Sequence, residues 1–246
     1  MDGGTQAGGG VIRAVVVEGG RLLRDRLFLA CLILAVLPAA SLFGSLPEAR
    51  MDPSAIEALR ASFPTTLAVN VALLAAAFGA VRTSTAFACG LVARDELVLR
   101  AGAPFWTRAA ASSLGGACVG VVALCVAGAV GAGLQVDLGW WPLAAPVLVV
   151  GLWSGIWGFA VGAVVRAPLS VLLVVVLTLS PALPLAEIAP ELARALPLGS
   201  VLVAVGAPFA GSAGGGQAMM PVVLLLWAVT AMAISFLVYR LRPRLR

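Results

Sequence analysis

The chain has 246 residues, 61% of them hydrophobic and only 11% charged, and a mean hydropathy of +1.08. Soluble domains carry about a quarter charged residues, so this composition predicts an all-α integral membrane protein. At about 20 apolar residues per crossing, the length allows about six spans in one membrane domain and leaves nothing for a soluble catalytic module. All 16 basic residues are Arg and there is no His, which excludes a G-x-x-x-x-G-K-[ST] phosphate loop and any histidine proton relay, metal or haem site.

In such a chain the net charge of +5 marks Arg excess on the cytoplasmic face and predicts no nucleic-acid partner. Cys31, Cys89, Cys118 and Cys125 lie in apolar runs without a C-x-x-C pair. They read as small buried hydrophobes, not as disulfide or metal ligands.

Residues 1–10 are Gly-rich, lack the marks of a secretory signal and read as a disordered tail ahead of a single transmembrane domain, 11–246. Residues 11–26 interleave Arg13, Glu18, Arg21, Arg24 and Asp25 with apolar residues, the pattern of an interfacial helix; a plain charged flank is the simpler alternative. The first span is expected over 27–46, kinked at Pro38. A polar loop, 47–64, carries a short surface helix over 53–63. The second span, about 65–91, contains Asn70 and Arg82. A charge inside a span is a functional candidate, although Arg82 could equally snorkel to the interface or pair with a neighbouring helix end.

The third span, 109–134, holds Gly116 and Gly120 at the G-x-x-x-G spacing that permits close helix contact. Trp140 and Trp141 mark an interface. The fourth span, 142–165, repeats the glycine spacing at Gly151/Gly155 and Gly158/Gly162, and Arg166-Ala167-Pro168 turns the chain into a fifth span, 169–185, which includes Thr178 and Ser180. The apolar segment 198–209 is too short to cross and is expected to be re-entrant or interfacial. A flexible loop, 211–217, precedes the last span, 219–239, and an Arg-rich end.

Between the second and third spans lies the one charge-dense internal segment, 94–108, with Arg94, Asp95, Glu96, Arg100, Pro104 and Arg108. Twelve of the Arg residues fall on the side that holds this segment, Arg166 and both termini. Arg50, Arg60 and Arg194 fall on the other, and Arg82 lies within the membrane. The positive-inside rule therefore places the segment and both termini in the cytoplasm.

This layout resembles the permease subunit of ABC type 2, exporter-type transporters: an amphipathic amino-terminal helix, six spans, a cytoplasmic segment between the second and third, a re-entrant segment before the last, and an Arg-rich end. Phe87, Gly90, Arg94, Pro104 and Arg108 can be laid on the family pattern at the end of the second span. Thr85 and Ala86 stand where an acidic residue is expected and Gly90-Leu91 replaces Gly-Thr, which leaves open whether Asp95 and Glu96 take the acidic role. The resemblance implies a plasma-membrane subunit that pairs with a second copy or another permease and docks on a separate ATPase. It also implies a coupling helix formed by the 94–108 segment, with Leu97, Leu99, Phe105 and Trp106 buried against partner and membrane. ATP and Mg would belong to that ATPase, and this chain would hold no cofactor. A substrate path lined by the first, second and fifth spans would present Asn70, Arg82, Thr178 and Ser180 in an otherwise aliphatic surface, suited to lipophilic or amphipathic cargo such as an antibiotic, peptide or lipid-linked molecule.

Rival readings share this composition. A haem-exporter-type or lantibiotic-immunity permease has the same plan, with the absence of His weighing against haem. A membrane enzyme would need paired carboxylates or a Ser–His arrangement in the spans, and none is present. A scaffold subunit that transports nothing is compatible with the sequence.

Overall fold

Proline opens most of the helices. Its missing amide hydrogen is no loss in a first turn and its fixed φ suits helix entry. In the computed structural model, which describes residues 20, 25–44, 53–91, 103–133, 141–207, 209 and 219–241, the helices are α1 (Arg26–Gly44), α2 (Pro53–Ala88), α3 (Ala103–Gly133), α4 (Ala144–Val164), α5 (Pro168–Leu179), α6 (Ala182–Ile188), α7 (Pro190–Ala195), α8 (Pro197–Ala204) and α9 (Met220–Leu241). A 3-10 turn, Trp141–Leu143, precedes α4. All regular structure among the described residues is helical.

The chain is a multi-pass membrane protein by length and composition. Five stretches are long and apolar enough to cross: Ala61–Ala88, Phe105–Ala129, Ala144–Val164, Pro168–Ile188 and Met220–Leu241. The expected first span falls on α1, a 19-residue apolar helix that is not among these five. The interfacial helix expected over 11–26, apart from residues 20, 25 and 26, the tail 1–10, the loop 211–217 and the Arg-rich end beyond Leu241 lie outside the described residues.

Three boundaries differ from expectation. The surface helix over 53–63 is continuous with the second span, because α2 runs through Pro64. A proline there frees a carbonyl one turn earlier, and side chains take up carbonyls in the same turns: Thr66 Oγ1 donates to Ser62 O at 3.0 Å and Asn70 Nδ2 to Thr66 O at 2.9 Å. Helix α3 starts six residues before the expected third span and takes in Pro104 to Arg108. The fifth span breaks at Ser180–Pro181 and resumes as α6.

The centre of the bundle is α4, held between α2 and α3. Lipid tails are as apolar as leucine, so helices associate in a bilayer through close packing, which small residues permit. Gly151 and Gly155 lie on Gly116 and Ser112 of α3, while Gly158 and Gly162 lie on Ala76 and Ala80 of α2. A Cβ at any of the four would overlap a backbone carbonyl oxygen of the neighbour. At Gly79 it would come within 2.7 Å of the Gly155 oxygen. The glycine spacings thus act as packing surfaces, and Ser113 Oγ adds an interhelical bond to Leu152 O at 3.1 Å.

Around this core, α1 packs on α2 and α3 with Phe28 against Phe78 at 5.3 Å, and α5 lies chiefly against α2. Helix α8 has eight residues, Pro197 to Val203 of it buried, and at about 12 Å is too short to cross. Its end is a Schellman arrangement: Gly206, at φ +75°, donates to Val203 O at 3.0 Å and Ala207 to Leu202 O at 2.9 Å. Helix α9 rests on α4 and α8 with most of its surface facing outward, and Trp227 Nε1 ties it to Ala195 O at 2.8 Å.

All four cysteines are free thiols, but only Cys31 is buried. Cys118 and Cys125 share the outward stripe of α3 with the exposed Leu114 and Val121, so the expectation of small core residues fails for three of the four. In a membrane helix an apolar run has an outer face as hydrophobic as its inner one, and composition does not tell them apart.

Candidate functional site at the arginine-rich end

Helix α2 stops where Cys89 donates to Thr85 O at 2.9 Å and Gly90 enters the left-handed region at φ +67°. Eleven residues, 92–102, separate the described end of that turn from α3. Both flanks of this segment are anchored in one aromatic cluster. Phe105 in the first turn of α3 is almost wholly buried and lies 5.0 Å from Phe159 of α4 and 5.3 Å from both Phe236 and Tyr239 of α9, ring centre to ring centre. Phe87 in the last turn of α2 meets Tyr239 edge-on at 6.1 Å. The ends of four helices therefore converge on Phe105.

Arginines surround these rings. The Arg166 guanidinium, in the α4–α5 turn, stands 4.8 Å over Phe87, and that of Arg240 stands 4.9 Å over Phe236, both within cation–π range. Arg108, half-buried, and Arg26 occupy the starts of α3 and α1 at the same end. Arg194 lies at the opposite end, paired with Glu191 at 2.9 Å. The asymmetry counted along the sequence is thus a physical asymmetry of the bundle among the described residues.

Arg82 belongs to this end as well. Its Nε lies 3.8 Å from Asp25 Oδ2, and its guanidinium carbon lies 5.9 Å from the Phe78 ring centre. Asp25 Oδ1 also accepts from the Leu27 amide at 2.9 Å, which caps α1. Of the alternatives for Arg82, pairing with a neighbouring helix end is the arrangement found.

No protein-family model, curated protein or solved structure matches this chain. The likeness to exporter permeases stands on the layout of the sequence alone.

Of the six coupling candidates, Arg94, Asp95, Glu96 and Arg100 lie outside the described residues, as does the separate helix expected there. Pro104 and Arg108 are in the first two turns of α3. Phe105 was expected against a partner or the membrane and is instead packed inside the chain's own cluster, whereas Trp106 beside it is 55% exposed. The two face differently because adjacent helical residues are about 100° apart.

The four substrate-path candidates lie on two helices, Asn70 and Arg82 on α2 and Thr178 and Ser180 at the end of α5. Asn70 and Arg82 are separated by about 18 Å along α2. Asn70 is tied to its own helix, and Ser180 Oγ donates to Val176 O at 2.7 Å. Thr178 donates to Val175 O at 3.1 Å and accepts from Trp157 Nε1 at 3.2 Å, which joins α5 to α4. Each hydroxyl or amide is satisfied locally, as an apolar surround demands.

Sequence reasoning did not single out Phe159, Phe236 or Tyr239. The available signal was the i, i+3 spacing of Phe236 and Tyr239 next to the Arg-rich end, which puts both rings on one helix face. Among the described residues no group of three or more His, Cys, Asp or Glu side chains converges to hold a metal ion. What the arrangement joins, among the described residues, is helix ends.

Proposed function

We propose that the chain is the membrane permease subunit of an ATP-driven exporter of the ABC type 2 kind, moving a lipophilic or amphipathic substrate out of the cytoplasm with energy supplied by a separate ATPase. The observation that carries this reading is the anchoring of both flanks of the 92–102 segment in one cluster centred on Phe105. A force applied to Arg94, Asp95, Glu96 and Arg100 by a closing partner would reach α2, α3, α4 and α9 together. Stiff side-chain contacts transmit displacement where loose loops absorb it.

In this reading α1 is the sixth crossing, the segment before α3 is the coupling element and α8 is the re-entrant piece. Both termini are cytoplasmic, on the side where the arginines gather, in the plasma membrane. A second copy or a paired permease completes the path. ATP and Mg are bound by the partner ATPase, and this chain performs no catalysis of its own.

The test is co-purification with an ATPase encoded beside this chain, followed by its ATPase rate in liposomes. Replacing Glu96, Arg100 and Arg108 together by Gln is expected to abolish both association and rate stimulation. Association and stimulation that survive the triple change would end the coupling assignment.

A further inference from the structure

Helix α9 rests on α4 but stands off from α3, and the gap is a groove of about 610 Å³. Its walls are Trp106 and Ala110 of α3 and Val229, Ala233 and Phe236 of α9, with Ile156 of α4 as floor. The Ser113 hydroxyl on the same wall is committed to Leu152 O, so the groove presents hydrocarbon. Its lining follows α9 from Ala228 to Phe236, about 12 Å at 1.5 Å per residue. That is most of the half-thickness of a bilayer's ~30 Å hydrocarbon core.

The two ends of the groove differ chemically. At the arginine-rich end Trp106 and Phe236, 5.9 Å apart, line its mouth, and Trp is a residue of membrane interfaces. One turn beyond Phe236 on the same face of α9 is Arg240, exposed, its guanidinium held 4.9 Å from the Phe236 ring centre. Among the described residues no carboxylate pairs with Arg240. A dry channel one leaflet deep, with a positioned guanidinium at headgroup level that no carboxylate among the described residues compensates, is complementary to a chain carrying a phosphate. Guanidinium and phosphate pair bidentately.

We propose that the α3–α9 groove is a binding site for one acyl chain of an anionic phospholipid from the leaflet at the arginine-rich end, with its phosphate on Arg240. The site requires no ATPase partner and no transported substrate. The anionic headgroup is preferred over a zwitterionic one because the latter brings its own cation to the phosphate.

The experiment is native mass spectrometry of the purified full-length protein exposed to phosphatidylglycerol and phosphatidylcholine with identical oleoyl chains. Wild type is expected to retain phosphatidylglycerol about fivefold over phosphatidylcholine, the factor one basic residue near a lipid surface supplies. Arg240→Gln should bring the ratio to about one, and Arg240→Lys should keep part of it. Ala233→Leu fills the groove from an exposed position outside the core and should lose both lipids. Equal retention by wild type, an unchanged ratio in Arg240→Gln, or full retention by Ala233→Leu would each overturn the proposal. So would cross-linking of two copies through Ala233→Cys in native membranes, because the groove would then be a subunit interface.

Discussion

Arg82 and Asp25 face one another across α2 and α1, Nε to Oδ2 at 3.8 Å, while the second oxygen of that carboxylate caps α1 through the Leu27 amide. One side chain thus meets a helix end and a half-buried cation that also lies near the Phe78 ring. Asp25→Asn retains a capping oxygen and loses the charge, and is expected to cost about 1 kcal/mol; Asp25→Ala loses both and about 2 kcal/mol. A double-mutant cycle with Arg82→Gln, read by denaturant titration in mixed micelles, should give a coupling of about 1 kcal/mol. Zero coupling would mean that proximity here carries no energy.

The glycines of α4 make a second prediction. A methyl at Gly158 meets the backbone of Ala76, which has nowhere to go because α3 holds the other side of α4. Gly158→Ala should cost about 1–3 kcal/mol, the usual range for overpacking. Gly206 is the contrast, with open space around its Cβ position but a φ of +75°. Gly206→Ala should cost about 1 kcal/mol through backbone strain, and Gly206→Asn less, since Asn tolerates that conformation. Thermal melting of the purified protein ranks the three.

Phe105→Ala removes the ring that four helix ends share, so a loss of about 3–5 kcal/mol is expected. Trp106→Ala, at a half-exposed neighbour, should cost far less. If coupling runs through the cluster, the milder Phe105→Leu should leave ATPase docking intact and reduce transport-linked ATPase stimulation. Unchanged stimulation in a folded Phe105→Leu protein would contradict the lever.

The sidedness can be read from thiols. Cys89, exposed at the end of α2, should react with a membrane-impermeant maleimide only from the cytoplasmic face of oriented vesicles. Glu191→Cys, in α7 at the opposite end, should react only from outside. Cys118 and Cys125 face outward from the middle of α3 and should resist the charged reagent while accepting a lipid-soluble one. Labelling of Cys89 from outside would invert the orientation.

The sequence pattern made the long apolar helices legible because each is long enough to show without knowledge of its neighbours. The pairing of Gly151 with Gly116 and of Gly158 with Ala76 was foreshadowed by spacing, though not the partner helices, since a periodic stripe names a face and not what covers it. Helix α3 starts ahead of the boundary of hydrophobicity that Arg108 marks, because a helix can continue past the bilayer surface on its own hydrogen bonds. Phe105 shows the limit most plainly: its rings come from α4 and α9, more than 50 and 130 residues away in sequence, a distance over which no local pattern carries information.

Two of the rings around Phe105, Phe236 and Tyr239, belong to α9, which is synthesised after α2, α3 and α4. During translation α2, α3 and α4 can therefore enter the bilayer and close on their glycines while Phe105 still lacks part of its cover. The cluster becomes complete only once α9 has been made, so a chain stopped before α9 would display uncovered aromatic surface at the arginine-rich end. That exposure distinguishes a stalled chain from a mature one, and offers membrane proteases a feature by which to remove it.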